Sequence, residues 1–200
     1  MGLGKTSAKG IFCLEGHWES DLRDLTSVEP ALRLLREAID VPSIHRRVGT
    51  RPEFEFYLAK WVQKKYRKHP ILYLAFHGDP NVIWTPESRQ HGNQVKLDDL
   101  AALLEGRCEG RIIHLGTCST LHTHGAHLNR FLHRTQALAV CGYTTYVDWV
   151  TATAFDLILF NKMQVRAFNR QGAELIYRDI KSEASGLVHR LGFRMKVRPE

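Results

Sequence analysis

Ile71-Leu72-Tyr73-Leu74-Ala75-Phe76-His77-Gly78 is an apolar run, led by Pro70, that stops on an imidazole and a glycine. It is too short for an average helix and apolar throughout, the pattern of a strand covered on both faces. A second run, Arg111-Ile112-Ile113-His114-Leu115-Gly116-Thr117-Cys118, stops on a thiol. In an open parallel sheet the carboxyl ends of the strands share one edge, so two reactive groups forty-one positions apart can meet there. A thiolate attacks a carbonyl far better than a thiol does, and an imidazole beside it can take its proton. His77 and Cys118 therefore read as a base and its nucleophile.

Working outward, residues 10–15 make a first strand, and a polar loop around 17–24 leads to a helix opened by a capping box of Thr26 and Glu29. Leu32, Leu35 and Ile39 recur at helical spacing. A short strand is expected over 43–48, and Thr50 with Glu53 opens a helix with Phe54, Tyr57, Leu58, Trp61 and Val62 on one side. After His77 come a hairpin over 81–85, a polar excursion to about 95 and a helix over 97–105. The spacing then predicts helices over 126–134, 149–168 and 172–189, with strands over 137–141 and 194–197. Strands alternating with helices argue for an α/β fold: a mostly parallel central sheet with helices on both faces.

Two hundred residues at 44% hydrophobic suit one domain over residues 10–200 behind a short amino-terminal tail, 1–9. The apolar stretches fall short of the roughly 20 residues that span a bilayer, and no secretory leader pattern is present. A soluble, cytoplasmic protein with no membrane partner is the expectation. Cys13, Cys108, Cys118 and Cys141 are few and irregularly spaced, as in a reducing compartment. The net charge of +7 is spread along the chain and densest over 60–68, a solvated helix face, so nucleic acid is not an expected partner. Gly4-Lys5-Thr6 lacks the first glycine of a phosphate loop and the strand that should precede it. Met1-Gly2 with Thr6 satisfies only a permissive acylation pattern.

An apolar block ending in His-Gly, followed by a second block ending in a small residue and Cys, resembles the caspase-like cysteine peptidases. That group includes caspases, metacaspases, gingipains, separases and bacterial CHAT-domain proteases. The resemblance implies a three-layer sandwich and a cysteine endopeptidase acting on proteins through a Cys118–His77 dyad, with the Gly78 and Cys118 amides holding the oxyanion. It implies no metal and no organic cofactor. Thr117 stands where many relatives carry Ala or Gly, and the caspase signature around the nucleophile is missing, so the likeness is to the bacterial branch. In such relatives an acid shortly after the next strand lies in the pocket for the side chain preceding the cut bond. The segment 142–149 resembles that region with Asp148 in the acidic place, which implies cleavage after Arg or Lys. Asp148 as the cap of the following helix is the alternative. Glu15, at the tip of the first strand, is a weaker candidate for the same pocket, and Tyr146 a candidate for the groove wall.

Cys118 with His122, His124 and His127 offers zinc-type ligands without any paired Cys-x-x-Cys, so exposed loop histidines are the simpler account. Cys13 and His17 form another thiol–imidazole pair, but Cys13 lies within a strand, where packing explains it. The resemblance implies a role as a regulated protease in bacterial signalling or antiphage defence, and a separate regulatory protein or activator chain is an expected partner beside the protein substrate. The alternative is a catalytically inactive scaffold of the same fold that binds a partner protein.

Overall fold

The burial of the strands settles the layering. In β1 (Ile11–Glu15), β3 (Ile71–Ala75), β7 (Ile112–Leu115) and β8 (Ala139–Tyr143) every residue is buried, as in a sheet sandwiched between helices. β2 (Ser43–Arg47) and β9 (Phe193–Val197) form the edges of a six-stranded sheet of order β2-β1-β3-β7-β8-β9. All neighbours pair parallel except β9, which runs antiparallel to β8. The computed structural model describes residues 8–21, 23–87 and 92–199. The Gly4-Lys5-Thr6 and Met1-Gly2 patterns lie outside the described residues.

Successive side chains of a strand point to opposite faces, so each strand feeds two cores. Ile11, Cys13, Ile71 and Tyr73 face α1 (Glu29–Ile39), α5 (Trp149–Val165) and α6 (Arg170–Glu183), meeting Leu32, Phe155, Leu159 and Ile176. Phe12, Leu14, Leu72 and Leu74 face α2 (Arg51–Trp61), α3 (Leu97–Leu103) and α4 (Gly125–Thr135), meeting Phe54, Leu58, Leu100 and Leu128. This is the three-layer α/β sandwich that the sequence pattern predicts. A short α7 (Ser185–Arg190) leads into β9. Arg111 locks the second face: its guanidinium lies 4.6 Å from the Trp61 ring centre and donates to the Trp61 carbonyl at 2.9 Å.

Helix ends show where local signals win and where they lose. Thr50 and Glu53 form the expected capping box at α2. The box expected from Thr26 and Glu29 does not form. α1 starts after Val28 without a side-chain cap, Thr26 donates to Asp24, and the Val28 N–H goes to the buried Glu15 carboxylate. The Glu29 N–H that the box needs goes instead to Ser27 Oγ at 3.1 Å, and Ser27 is held in place by donating to the same Glu15 carboxylate. The single helix expected over 172–189 is two, α6 and α7, parted at Ala184 (φ −126°) just before Ser185-Gly186, residues of weak helix propensity. α5 stops at Val165.

Beyond β3 the chain turns at once into a small antiparallel sheet, β4 (His77–Asp79), β5 (Val82–Trp84) and β6 (Gln94–Lys96). The hairpin therefore begins earlier than its turn residues suggest, with His77 and Gly78 in its first arm. Asn81 holds the turn at φ 66°, a left-handed conformation that Asn tolerates.

Beneath the carboxyl edge lies a buried polar knot. Asp156 of α5 accepts from His114 Nε2 at 2.7 Å and from the Tyr143 hydroxyl on one oxygen, and from the Tyr73 hydroxyl at 2.7 Å on the other. Cys141 Sγ lies 3.5 Å from His114 Nδ1. Burial alone lowers the His114 pKa, but the Asp156 charge and its hydrogen bond, with Cys141, outweigh it and raise it to about 10. A raised imidazole pKa contributes stability that is complete below its ordinary value of 6.5 and lost as pH climbs through about 10. The melting temperature should accordingly fall as pH rises from near neutrality toward 10. A double variant, His114→Gln with Asp156→Asn, should flatten that alkaline limb in melts recorded across the range.

Candidate active site

Leu74 of β3 pairs with Leu115 of β7, and three residues further along each chain stand His77 and Cys118. The two leave the sheet at the same rim and line one cavity of about 340 Å³. Its other walls come from the segments after β1 and β8 and from α5, among them Trp18, Trp149 and Ala152. The site thus draws on the carboxyl ends of β1, β3, β7 and β8. α1 follows β1 on one face, whereas α3 and α4 return the chain to β7 and β8 on the other, so the cavity sits near a topological switch.

His77 is exposed, and its Nε2 lies 2.7 Å from the Trp18 carbonyl oxygen. A carbonyl can only accept, so this contact places the proton on Nε2 and leaves Nδ1 as the base. Trp18 also sets its ring edge-on to the imidazole, with centres 5.4 Å apart. Trp18 is itself held by Glu15, which takes its indole N–H at 2.7 Å. The chain of contacts from Glu15 through Trp18 to His77 joins the first strand to the base.

Cys118 is half-buried and opens a tight turn in which Ser119 adopts φ 54°. The turn is fastened by Ser119 N–H to the Thr145 carbonyl at 2.9 Å and by Leu121 N–H to that of Tyr143 at 3.0 Å. Thr117 donates to the Thr120 hydroxyl, which faces the carbonyls of Val82 and Cys118 at 3.1 and 3.2 Å. Gly78 lies against this turn. A Cβ there would come within 2.4 Å of Thr120 Oγ1 and 2.9 Å of the Cys118 carbonyl, so only glycine lets the two strand tips approach this closely.

The expected pocket acids fall elsewhere. Asp148 is exposed and caps α5, accepting from Thr151 N–H at 2.8 Å and from its hydroxyl at 2.7 Å. It does not line the cavity that holds His77 and Cys118. Of its two roles, the cap is the one present, because an uncapped helix start offers it unpaired donors at short range. Glu15 is fully buried and also absent from that lining. Besides Trp18 it accepts from Ser27 Oγ, Val28 N–H and His45 Nε2, each at 2.7 Å. Burial pushes its carboxyl up, yet these hydrogen bonds together hold it below the usual carboxylate range. Tyr146 is 77% exposed and reaches Asp79 Oδ1 at 3.2 Å. It lines a second cavity, of about 440 Å³, that includes His77, Gly78 and Trp84 but not Cys118.

The acids that do line the first cavity are Glu19, exposed at its rim, and Asp156, 3% exposed. The signal of Asp156 was a lone carboxylate in the apolar stretch Ala152 to Phe160, where a charge survives only with partners. Trp18, in a polar loop, carries no comparable mark. The histidines near Cys118 disperse: His122 Nδ1 contacts the Thr144 carbonyl, and His127 pairs with Asp98. Among the described residues no three His, Cys, Asp or Glu side chains converge as a metal site. Likewise, no described helix is long and apolar enough to cross a membrane.

Sheet order, helix layers and a Cys–His pair at the carboxyl rim define a caspase-like fold. A solved structure of caspase-1 from Spodoptera frugiperda superposes with a TM-score of 0.50 at 11% identity, over 80% of this chain and 70% of that one. The chain belongs to a family of unknown function, DUF6642, whose sequence profile matches residues 8–196. A search of curated proteins finds no match.

Two outcomes follow from this geometry. Glu15→Gln should cost about 2 kcal/mol at neutral pH, the scale of a hydrogen-bonded charge. A depressed carboxylate stabilises above about pH 4.3 and loses that contribution as pH falls, so the variant's stability should also depend less on pH in the acid limb of a denaturation series. Asp148→Ala should lower the melting temperature through the lost cap, while leaving Cys118 reactivity toward a simple alkylating reagent unchanged.

Proposed function

We propose that the chain is a cysteine endopeptidase acting on protein substrates. The observation that carries this reading is the pair itself: His77 and Cys118, level at one rim of the sheet, both facing one cavity, with His77 oriented by the Trp18 carbonyl. His77 Nδ1 takes the thiol proton, and Sγ attacks the peptide carbonyl carbon, forming a C–S bond. The amides of Gly78 and Cys118 receive the charge that collects on the carbonyl oxygen. The C–N bond breaks as the imidazolium returns its proton to the leaving amine. Water, deprotonated by the same imidazole, then attacks the thioester; the C–S bond breaks, and the thiol is restored. The steps call on no metal or organic cofactor.

The caspase-like fold supports a protease-type chemistry, and the finer readings rest on the resemblance. A role as a regulated effector in bacterial signalling or antiphage defence, switched by a separate activator protein, belongs to that tier. So does a preference for cutting after Arg or Lys, which was tied to Asp148 as pocket floor. With Asp148 occupied as a helix cap, that preference loses the carboxylate it was built on.

The test is covalent labelling by a peptidyl electrophile, read by intact mass. Labelling of the wild type should vanish in Cys118→Ala and slow by roughly a hundredfold or more in His77→Ala, the scale of general-base catalysis. Folded wild type that no such reagent labels would point instead to a scaffold that binds without cutting.

A further inference from the structure

Substrate selection at this site depends on which cavity takes which side chain. The first cavity touches both Cys118 and His77, whereas the second touches His77 alone. The leaving amine collects its proton from His77, so residues after the cut bond lie on the His77 side, over the second cavity. The side chain before the cut bond branches one atom from the attacked carbon and must lodge beside Cys118, in the first.

That first cavity is walled by Trp18, Val28, Phe76, Val147 and Trp149. Two carboxylates also reach it. Glu19 is exposed at its rim. Asp156 lies beneath, and both of its oxygens are already engaged, by His114 and Tyr143 on one side and by Tyr73 on the other. With its pKa raised to about 10, His114 is a cation at neutral pH, so the pair at the floor carries no net charge. An entering guanidinium or ammonium would have to displace tyrosine hydroxyls while facing that imidazolium. An entering carboxylate would be repelled by Glu19 at the rim and would gain nothing from a floor pair without net charge. What the walls reward is the burial of apolar surface.

We infer that, on the peptidase reading above, this cavity binds the side chain preceding the cut bond and selects a large uncharged one, leucine or an aromatic, over arginine, lysine or aspartate. Ala152, in the lining, is the small residue that keeps the space open.

The experiment compares peptidyl acyloxymethyl ketones that share one leader and end in Leu, Phe, Ala, Arg, Lys or Asp. Adduct formation is followed by intact mass on the full chain and on Cys118→Ala. The Leu or Phe reagent should label Cys118 roughly tenfold or more faster than the Arg, Lys and Asp reagents, the discrimination an apolar pocket can supply. Ala152→Phe, which fills the cavity, should invert the ranking of the Phe and Ala reagents. Val147→Phe, outside any helix, makes the same test should the first variant not fold. Fastest labelling by the Arg, Lys or Asp reagent, still dependent on Cys118, would overturn the pocket assignment and leave the peptidase reading standing. No adduct on Cys118 with any reagent would overturn both.

Discussion

The register between β3 and β7 is the constraint on which the site depends. Leu74 opposite Leu115 fixes how far each chain runs before leaving the sheet, and from there an equal count places the imidazole and the sulfur at one rim. A slip of one residue would turn every side chain of a strand to its other face. Here both faces are closed by helices and every β3 and β7 side chain is buried, so such a slip would exchange two packed cores at once. The reactive geometry is therefore specified by hydrocarbon packing several residues away from it.

Onto this frame the polar groups are attached in two tiers. At the rim, Trp18 orients His77 through a backbone carbonyl, an acceptor that cannot titrate, and Glu15 anchors Trp18 from inside the sheet. One turn deeper, Asp156 gathers hydroxyls and an imidazole from three neighbouring strands, β3, β7 and β8. A buried carboxylate with these partners is costly to break, since each donor left alone would be desolvated without compensation. The upper tier holds the base in one tautomer, and the lower one holds the strands that carry base and nucleophile side by side.

Much of this was legible in the sequence because it depends on periodicity. Continuous apolar runs between polar helical segments give buried parallel strands, and residues at their ends mark the rim, which is how His77 and Cys118 stand out. Signals that depend on competition over distance were not legible. Thr26 and Glu29 have the spacing of a capping box, but nothing local reveals that Glu15, folded beneath them, holds Ser27 where its hydroxyl takes the Glu29 N–H. Asp148 has the position of a pocket acid and the chemistry of a helix cap, and only the start of α5 decides between them. Asp156 lay in plain view as a single acid among Ala, Phe, Leu and Ile. Its significance requires knowing that Tyr73, His114 and Tyr143, spread over seventy positions, converge on it.

The Thr120 hydroxyl has one proton, and it stands between two carbonyls: that of Val82 in the small hairpin and that of Cys118 itself. A single O–H cannot serve both fully, so a closer bond to one loosens its hold on the other. Any load that draws the hairpin outward thereby tugs on the backbone of the residue that bears the sulfur. The hairpin and the nucleophile's turn are mechanically one piece, joined through that shared hydrogen and through the Asn81 N–H, which donates to the Thr120 carbonyl at 3.2 Å.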